Sequence, residues 1–166
     1  MKTLFLMRHA KSSWKDDKLA DHERPLKKRG LKDIKLIAKE LKKNDLVPEL
    51  ILSSSAVRAK ETAEYLAECL DYQGKIKTSD DLYMGEPLNY VAALNGVKEK
   101  IDSVMIVGHN PGLEAYLQII DGEIESMPTG GLGYLMLATD EWESVTLETM
   151  GDLIGFWKPK DLRDKE

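Results

Sequence analysis

Short apolar runs alternate with longer amphipathic stretches along this chain, and that alternation constrains the fold more than any other feature. Residues 4–7 (LFLM), 50–52 (LIL) and 104–107 (VMIV) are continuous apolar segments, the pattern of strands covered on both faces. After the first run, apolar residues recur at Leu31, Ile34, Ile37, Ala38 and Leu41. That spacing predicts a helix over residues 26–43 with lysines on its outer face, ended by Asn44 and Pro48. A second helix is expected over residues 56–70, with Ala59, Ala63, Leu66, Ala67 and Leu70 inward. A weaker strand follows at 76–79, then short helices at 88–94 and 113–120. The stretch PTGGLGYLMLAT, residues 128–139, reads as a strand with a flexible approach, and residues 145–150 alternate as an edge strand would. The tail, 151–166, is mixed, with Phe156 and Trp157 expected to pack back on the body. Alternating strands and helices predict an α/β sandwich with a mainly parallel sheet and an antiparallel edge strand.

Length and composition narrow the function classes. A chain of 166 residues with 42% apolar and 32% charged residues suits a single domain spanning 1–166, large enough to bury a core. A net charge of −5 argues against holding nucleic acid through the overall field, though not against a small cationic pocket. The single cysteine, Cys69, has helix-interior spacing and cannot form an internal disulfide, so a reducing compartment suits the chain. The apolar run before Arg8 is too short for a secretory leader or a membrane span. The expectation is a cytoplasmic protein with neither a nucleic-acid nor a membrane partner.

Three of the strand ends carry chemistry. The first delivers Arg8 and His9; the second leads into SSSAVRAKETA, with Arg58 in the first turn of the next helix; the run at 104–107 opens onto GHNPG with His109. In an open α/β sheet ligands bind beyond the carboxyl ends of strands, so two guanidiniums and two imidazoles should converge there. Arginine presents a charged planar fork matched to phosphate, and a helix start adds backbone N–H groups. A neutral imidazole can attack phosphorus and form a phosphohistidine intermediate while the second imidazole donates to the equatorial oxygens and the arginines stabilise charge. This chemistry requires no metal and no cofactor.

Together RHAKSSW, RPL followed by RG, SSSAVRAKETA and VGHNPGLE resemble the histidine phosphatase superfamily, the phosphoglycerate-mutase-like proteins, and within it the short phosphohistidine phosphatases of the SixA-like group. The resemblance runs in order from Leu4 to about Leu137. It implies a three-layer α/β/α sandwich, His9 as the phosphorylated nucleophile, and Arg8, Arg58 and His109 completing the phosphate pocket. Arg24, in RPL, would be an accessory contact at the rim or a brace for its loop. One position departs from the pattern. Relatives acting on alkyl phosphates carry an acid in an L-x-E position after the third strand; here the stretch is LYM, which puts Met84 there, with Glu86 out of register. An alkoxide leaves poorly without a proton, whereas imidazole, whose conjugate acid titrates at about 6.5, leaves readily. The missing acid favours phosphohistidine on a partner protein over a small phosphorylated molecule, with Asp16, Asp21 or Glu86 as alternative proton donors.

Blander readings exist for each residue. His22, in the charged loop ADHERP, reads as solvated, and the lysines of 27–43 as a wet helix face that could also meet an acidic partner. Trp14 either shapes a substrate rim or packs its loop. Gly130, Gly131 and Gly133 form no phosphate-binding fingerprint, and Ser53, Ser54 and Ser55 lack a G-x-S-x-G elbow. The competing functions are a phosphomonoesterase or mutase on small metabolites and a non-catalytic phosphate-binding module. A metallohydrolase is disfavoured because no metal-ligand spacing occurs.

Overall fold

The computed structural model of the chain describes residues 1–123 and 126–165. Six strands, β1 (Lys2–Arg8), β2 (Leu50–Ser54), β3 (Lys75–Ser79), β4 (Ser103–Gly108), β5 (Leu132–Leu137) and β6 (Gly151–Trp157), form one sheet in the order β3-β2-β4-β1-β5-β6. β1 to β4 pair in parallel, β5 runs against β1, and β6 runs against β5. Helices α1 (Lys28–Lys43), α2 (Val57–Cys69) and α5 (Pro159–Arg163) cover one face; α3 (Pro87–Asn95) and α4 (Gly112–Asp121) cover the other. This is the α/β sandwich expected from the alternation.

Period-two alternation divides the core. On β1, Leu4 and Leu6 face α3 and α4, while Phe5 and Met7 face α1 and α2; all four are essentially inaccessible. β4 repeats this with Val104 and Ile106 against Met105 and Val107. Central strands buried on both faces must read as unbroken apolar runs, which is why they were legible.

Several boundaries differ from expectation. α1 begins at Lys28 rather than residue 26, because the Leu26 N–H bonds the Glu61 carboxylate and Leu26 bridges Ser12. Leu31 is exposed, and Asp33 sits on the buried face of the helix, where it pairs with Arg163. Cys69 is half-buried at the core's edge. The antiparallel edge strand is 151–157, not 145–150: Val145 plugs into the core, and Thr146 and Thr149 close a turn on each other. Trp157 packs back as expected, stacked on Tyr134, which stacks on Phe5. Among the described residues no helix is long and apolar enough to cross a membrane.

Candidate active site

The carboxyl ends of β1, β2 and β4 meet at one edge of the sheet. The His9 N–H bonds the Gly108 carbonyl at 3.1 Å, so the residue after β1 is tied to the residue before His109. Gly130, in the left-handed region at φ 77, donates to the carbonyls of both Arg8 and His9 and crosses the strand tip at close range. Gly30 lets α1 approach the same loop, since a Cβ there would lie 2.6 Å from the Lys11 carbonyl oxygen. Thr62 links the strand end to α2 by accepting from the Ala10 N–H and donating to the Arg58 carbonyl. These ties place the His9 and His109 rings with centroids 5.2 Å apart. Arg8, His9, Arg24, Arg58 and His109 all line one cavity of about 280 Å³, near the lower end of ligand-pocket sizes.

Hydrogen bonding sets the tautomers. His9 Nδ1 lies 2.8 Å from the Ala10 carbonyl, which can only accept, so Nδ1 carries the hydrogen and Nε2 keeps its lone pair. Burial pushes the His9 pKa down to about 4, helped by Arg58, Arg8 and Arg24 against the opposing Ala10 bond. The ring is neutral at pH 7 and its Nε2 is nucleophilic. His109 Nε2 lies 2.8 Å from Ser54 Oγ, which already accepts from the Ala56 N–H. Nε2 is the acceptor that the described residues offer the Ser54 hydroxyl hydrogen, and with the hydroxyl donating to it the His109 hydrogen sits on Nδ1. Burial, then His9 and Arg58, lower the His109 pKa to about 3.

The arginines are held by some of their donors and leave others unused. Arg8 Nη1 donates to the Met127 carbonyl at 3.1 Å. Arg58 donates to the Asp21 carbonyl and to Asp21 Oδ2, at 2.6 and 2.9 Å, and Arg24 Nε donates to Asp21 Oδ1 at 3.2 Å. Tyr83 donates to Asp21 Oδ2 at 2.6 Å. The Arg24 guanidinium also lies 3.4 Å over the Trp14 ring, so this side chain both braces its loop and reaches the rim. Arg8 Nε, Arg24 Nη1, Arg58 Nε and His109 Nδ1 are buried without a hydrogen-bond partner. Unmet buried donors are costly unless something arrives to accept from them. All four side chains line the cavity, so an oxyanion arriving there meets cationic and imidazole groups that the protein leaves incompletely paired; Asn110 Oδ1, an acceptor on the same lining, is unpartnered as well.

Of the proton-donor candidates, only Asp21 lines the cavity, and among the described residues it is the cavity's only carboxylate. The Tyr83 hydrogen bond, then Arg58 and Arg24, hold its pKa down at about 2 despite burial, so it is an ionised acceptor and no proton store. Asp16 is exposed and accepts from the Lys18 N–H, while Glu86 stands at the start of α3 with its N–H on Asn89; neither lines the cavity. Met84 does line it, half-exposed. His22 is not simply solvated: it is half-buried, bonds Ser55 Oγ at 2.9 Å and sets its ring edge against Tyr83. The serine run is likewise structural, since Ser53 donates to the Ser54 carbonyl while Ser54 and Ser55 serve the two histidines. Glu114 escaped notice in the sequence. Its carboxylate accepts from Asn110 and from the Met127 N–H, which fixes the carbonyl that holds Arg8.

The model of the histidine phosphatase superfamily (branch 1) matches residues 4–83. An uncharacterized chloroplastic protein of Arabidopsis thaliana is 32% identical over 149 residues, covering 84% of this chain and 68% of that protein. The chain belongs to the histidine phosphatase superfamily. As a histidine phosphatase it is a hydrolase, and its similarity to the SixA-like group is extensive. Phosphohistidine phosphatase SixA of Escherichia coli is 29% identical over 161 residues, covering 93% of this chain and 91% of that one. A crystal structure from Agrobacterium tumefaciens, assigned provisionally as a SixA phosphohistidine phosphatase, superposes with a TM-score of 0.81 at 28% identity over 95% of this chain and 98% of that one. At the level of fold alone, a structure described provisionally as an Escherichia coli α-ribazole-5′-phosphate phosphatase superposes with a TM-score of 0.70 at 15% identity, covering 96% and 98%.

Proposed function

We propose that the chain removes the phosphoryl group from phosphohistidine on a partner protein, through a phosphoenzyme formed on His9. The observation that carries this reading is the convergence of Arg8, Arg24, Arg58 and His109 on the cavity where the neutral His9 waits, each with a polar atom the protein leaves unpartnered. The donors take the three equatorial oxygens. His9 Nε2 attacks phosphorus in line, the P–N bond to the substrate imidazole breaks, and that ring leaves with the electron pair, neutral because its other nitrogen carries a proton. Water then attacks phosphorus, releasing inorganic phosphate and restoring neutral His9. Fixed donors aimed at developing charge contribute about 3 to 4 kcal/mol each in such sites.

The substrate assignment is supported by what the cavity lacks among its described lining residues. Its only carboxylate is ionised and held by two arginines, and Met84 occupies the acid position, so an alkoxide leaving group would find no carboxylic acid to protonate it. Imidazole does not need one. The similarity to SixA proteins points the same way. A phosphomonoesterase acting on small phosphorylated molecules is the second reading, favoured by the shared fold of the α-ribazole-5′-phosphate phosphatase. A panel comparing a phosphohistidine protein, free phosphohistidine and sugar phosphates separates the two. Higher kcat/KM on the phosphohistidine substrates is expected; faster hydrolysis of sugar phosphates reverses the assignment, and binding of phosphohistidine without turnover marks a binding module.

A further inference from the structure

The cavity in front of His9 is one end of a longer cationic tract. Lys11 and Thr129 line both it and a neighbouring cleft of about 180 Å³ whose walls include Arg29, Lys160 and Arg163. Arg163 in turn lines a groove of about 350 Å³ together with Lys32 and Lys35 of α1. The shared residues set the three depressions side by side, from the phosphoryl site along the outer face of α1. The acids on this route are paired within it, Asp21 with Arg58 and Arg24 and the buried Asp33 with Arg163 at 2.5 Å, so the excess positive charge rests on Lys11, Arg29, Lys160, Lys32 and Lys35.

This charge is not a by-product of keeping a helix wet. Glutamate serves an exposed helix position as well as lysine does. The chain as a whole has 29 acidic and 24 basic residues, yet the α1 sequence KRGLKDIKLIAKELKK has seven basic and two acidic ones. A small phosphorylated metabolite fits within the catalytic cavity of about 280 Å³ and makes no use of two further depressions. An extended nucleic acid would meet the repulsion of a net charge of −5 beyond the tract.

We infer that the tract from Lys11 through Arg29 and Arg163 to Lys32 and Lys35 is a docking face for an acidic protein surface beside the phosphohistidine. It rests on the protein-substrate reading above. The tract steers the partner to the site and fixes its approach, while the donors around His9 act only on the phosphoryl group.

The test uses the full chain and its K32E/K35E variant. Both lysines are exposed and neither lines the catalytic cavity. The probes are a phosphotransfer domain of net negative charge phosphorylated on its histidine, and free phosphohistidine. For the phosphorylated domain at low salt, charge reversal should lower kcat/KM by about tenfold, chiefly through KM, with the gap closing as salt is raised. Free phosphohistidine should be hydrolysed at the same rate by both proteins, and K32Q/K35Q should fall between them on the domain. Unchanged kcat/KM on the domain overturns the inference, and so does an equal loss on both substrates. Tight duplex DNA binding that the reversal abolishes, with phosphoprotein kinetics untouched, assigns the tract to nucleic acid and also overturns it. If the unmutated chain hydrolyses neither phosphohistidine probe, the functional reading itself fails and the docking face falls with it. Turnover of both probes with no effect of charge reversal removes the docking face alone.

Discussion

β1 carries a cation at each end, Lys2 buried and Arg8 half-buried, and the two are treated differently. At the amino end, Lys2 is 3% exposed and its ammonium donates to the carbonyls of Glu99 and Ile101 and to Asp102 Oδ1, at 2.9, 3.0 and 3.2 Å. All three of its hydrogens are used. At the carboxyl end, Arg8 is anchored to the Met127 carbonyl and keeps Nε unmet, beside Arg58 and Arg24 in the same condition. A buried cation whose donors are all satisfied holds the fold together. One whose donors are deliberately left over is waiting for an anion. Burial differs between the two ends, but the hydrogen bonds are what separate their roles.

Replacing His9 with Ala should have the largest effect, lowering kcat by roughly 10⁴-fold or more on every substrate while leaving the circular dichroism spectrum unchanged. Full turnover in that variant would remove the nucleophile from the account. Exchanging the two ends of β1 then sharpens the contrast. Arg8→Ala should lower kcat/KM by about 10²- to 10³-fold. Lys2→Met should leave kcat/KM within about twofold and destabilise the fold by about 1 to 3 kcal/mol in urea titration, because the Glu99 and Ile101 carbonyls and the Asp102 carboxylate lose the charged donor they share. Equal effects of the two on activity would break the comparison.

The smaller effects probe orientation and protonation. Ser54→Ala releases the His109 Nε2 hydrogen bond and with it the preference for a hydrogen on Nδ1, so kcat should fall by about tenfold, with partial recovery in Ser54→Thr. A merely structural serine would change stability without that recovery. For pH, the attacking form of His9 is neutral and its pKa is about 4, so the share of enzyme able to attack should hold level from pH 7 and decline only near pH 4, while phosphoenzyme formation also follows protonation of the substrate ring. Stability behaves differently. The folded pKa values of His9 and His109, about 4 and about 3, lie below the unfolded value of about 6.5, so acidification favours the unfolded chain, which takes up protons first. Thermal stability should decline from about pH 6.5 toward pH 3, and less steeply in the His9→Ala variant.

Much of this site was legible because its residues follow apolar runs. Arg8-His9 and His109 stand where a buried strand must stop, and Arg58 stands where a helix must start, so the α/β rule brings them together without coordinates. What holds them was not legible. Asp21 reaches Arg58 across 37 positions and Tyr83 across 62, and Asp33 meets Arg163 across 130; no local pattern encodes such pairs. Asp21 read as a proton donor because a carboxylate's neighbours, rather than its type, decide whether it holds a proton. The edge strand was misplaced because alternation in residues 145–150 is shared by extended chain that turns back on itself; only the pairing of β6 with β5 decides between them.

The central claim is that Arg8, Arg24, Arg58 and His109 hold a phosphoryl group against His9 Nε2. Rapid quenching of the enzyme during turnover of phosphohistidine, followed by peptide mass spectrometry under alkaline conditions, tests it directly. The account predicts a single acid-labile, base-stable phosphoryl group on His9, absent from the His9→Ala variant. Phosphate trapped on His109, His22 or a serine of 53–55, or steady turnover by the His9→Ala variant, would contradict it.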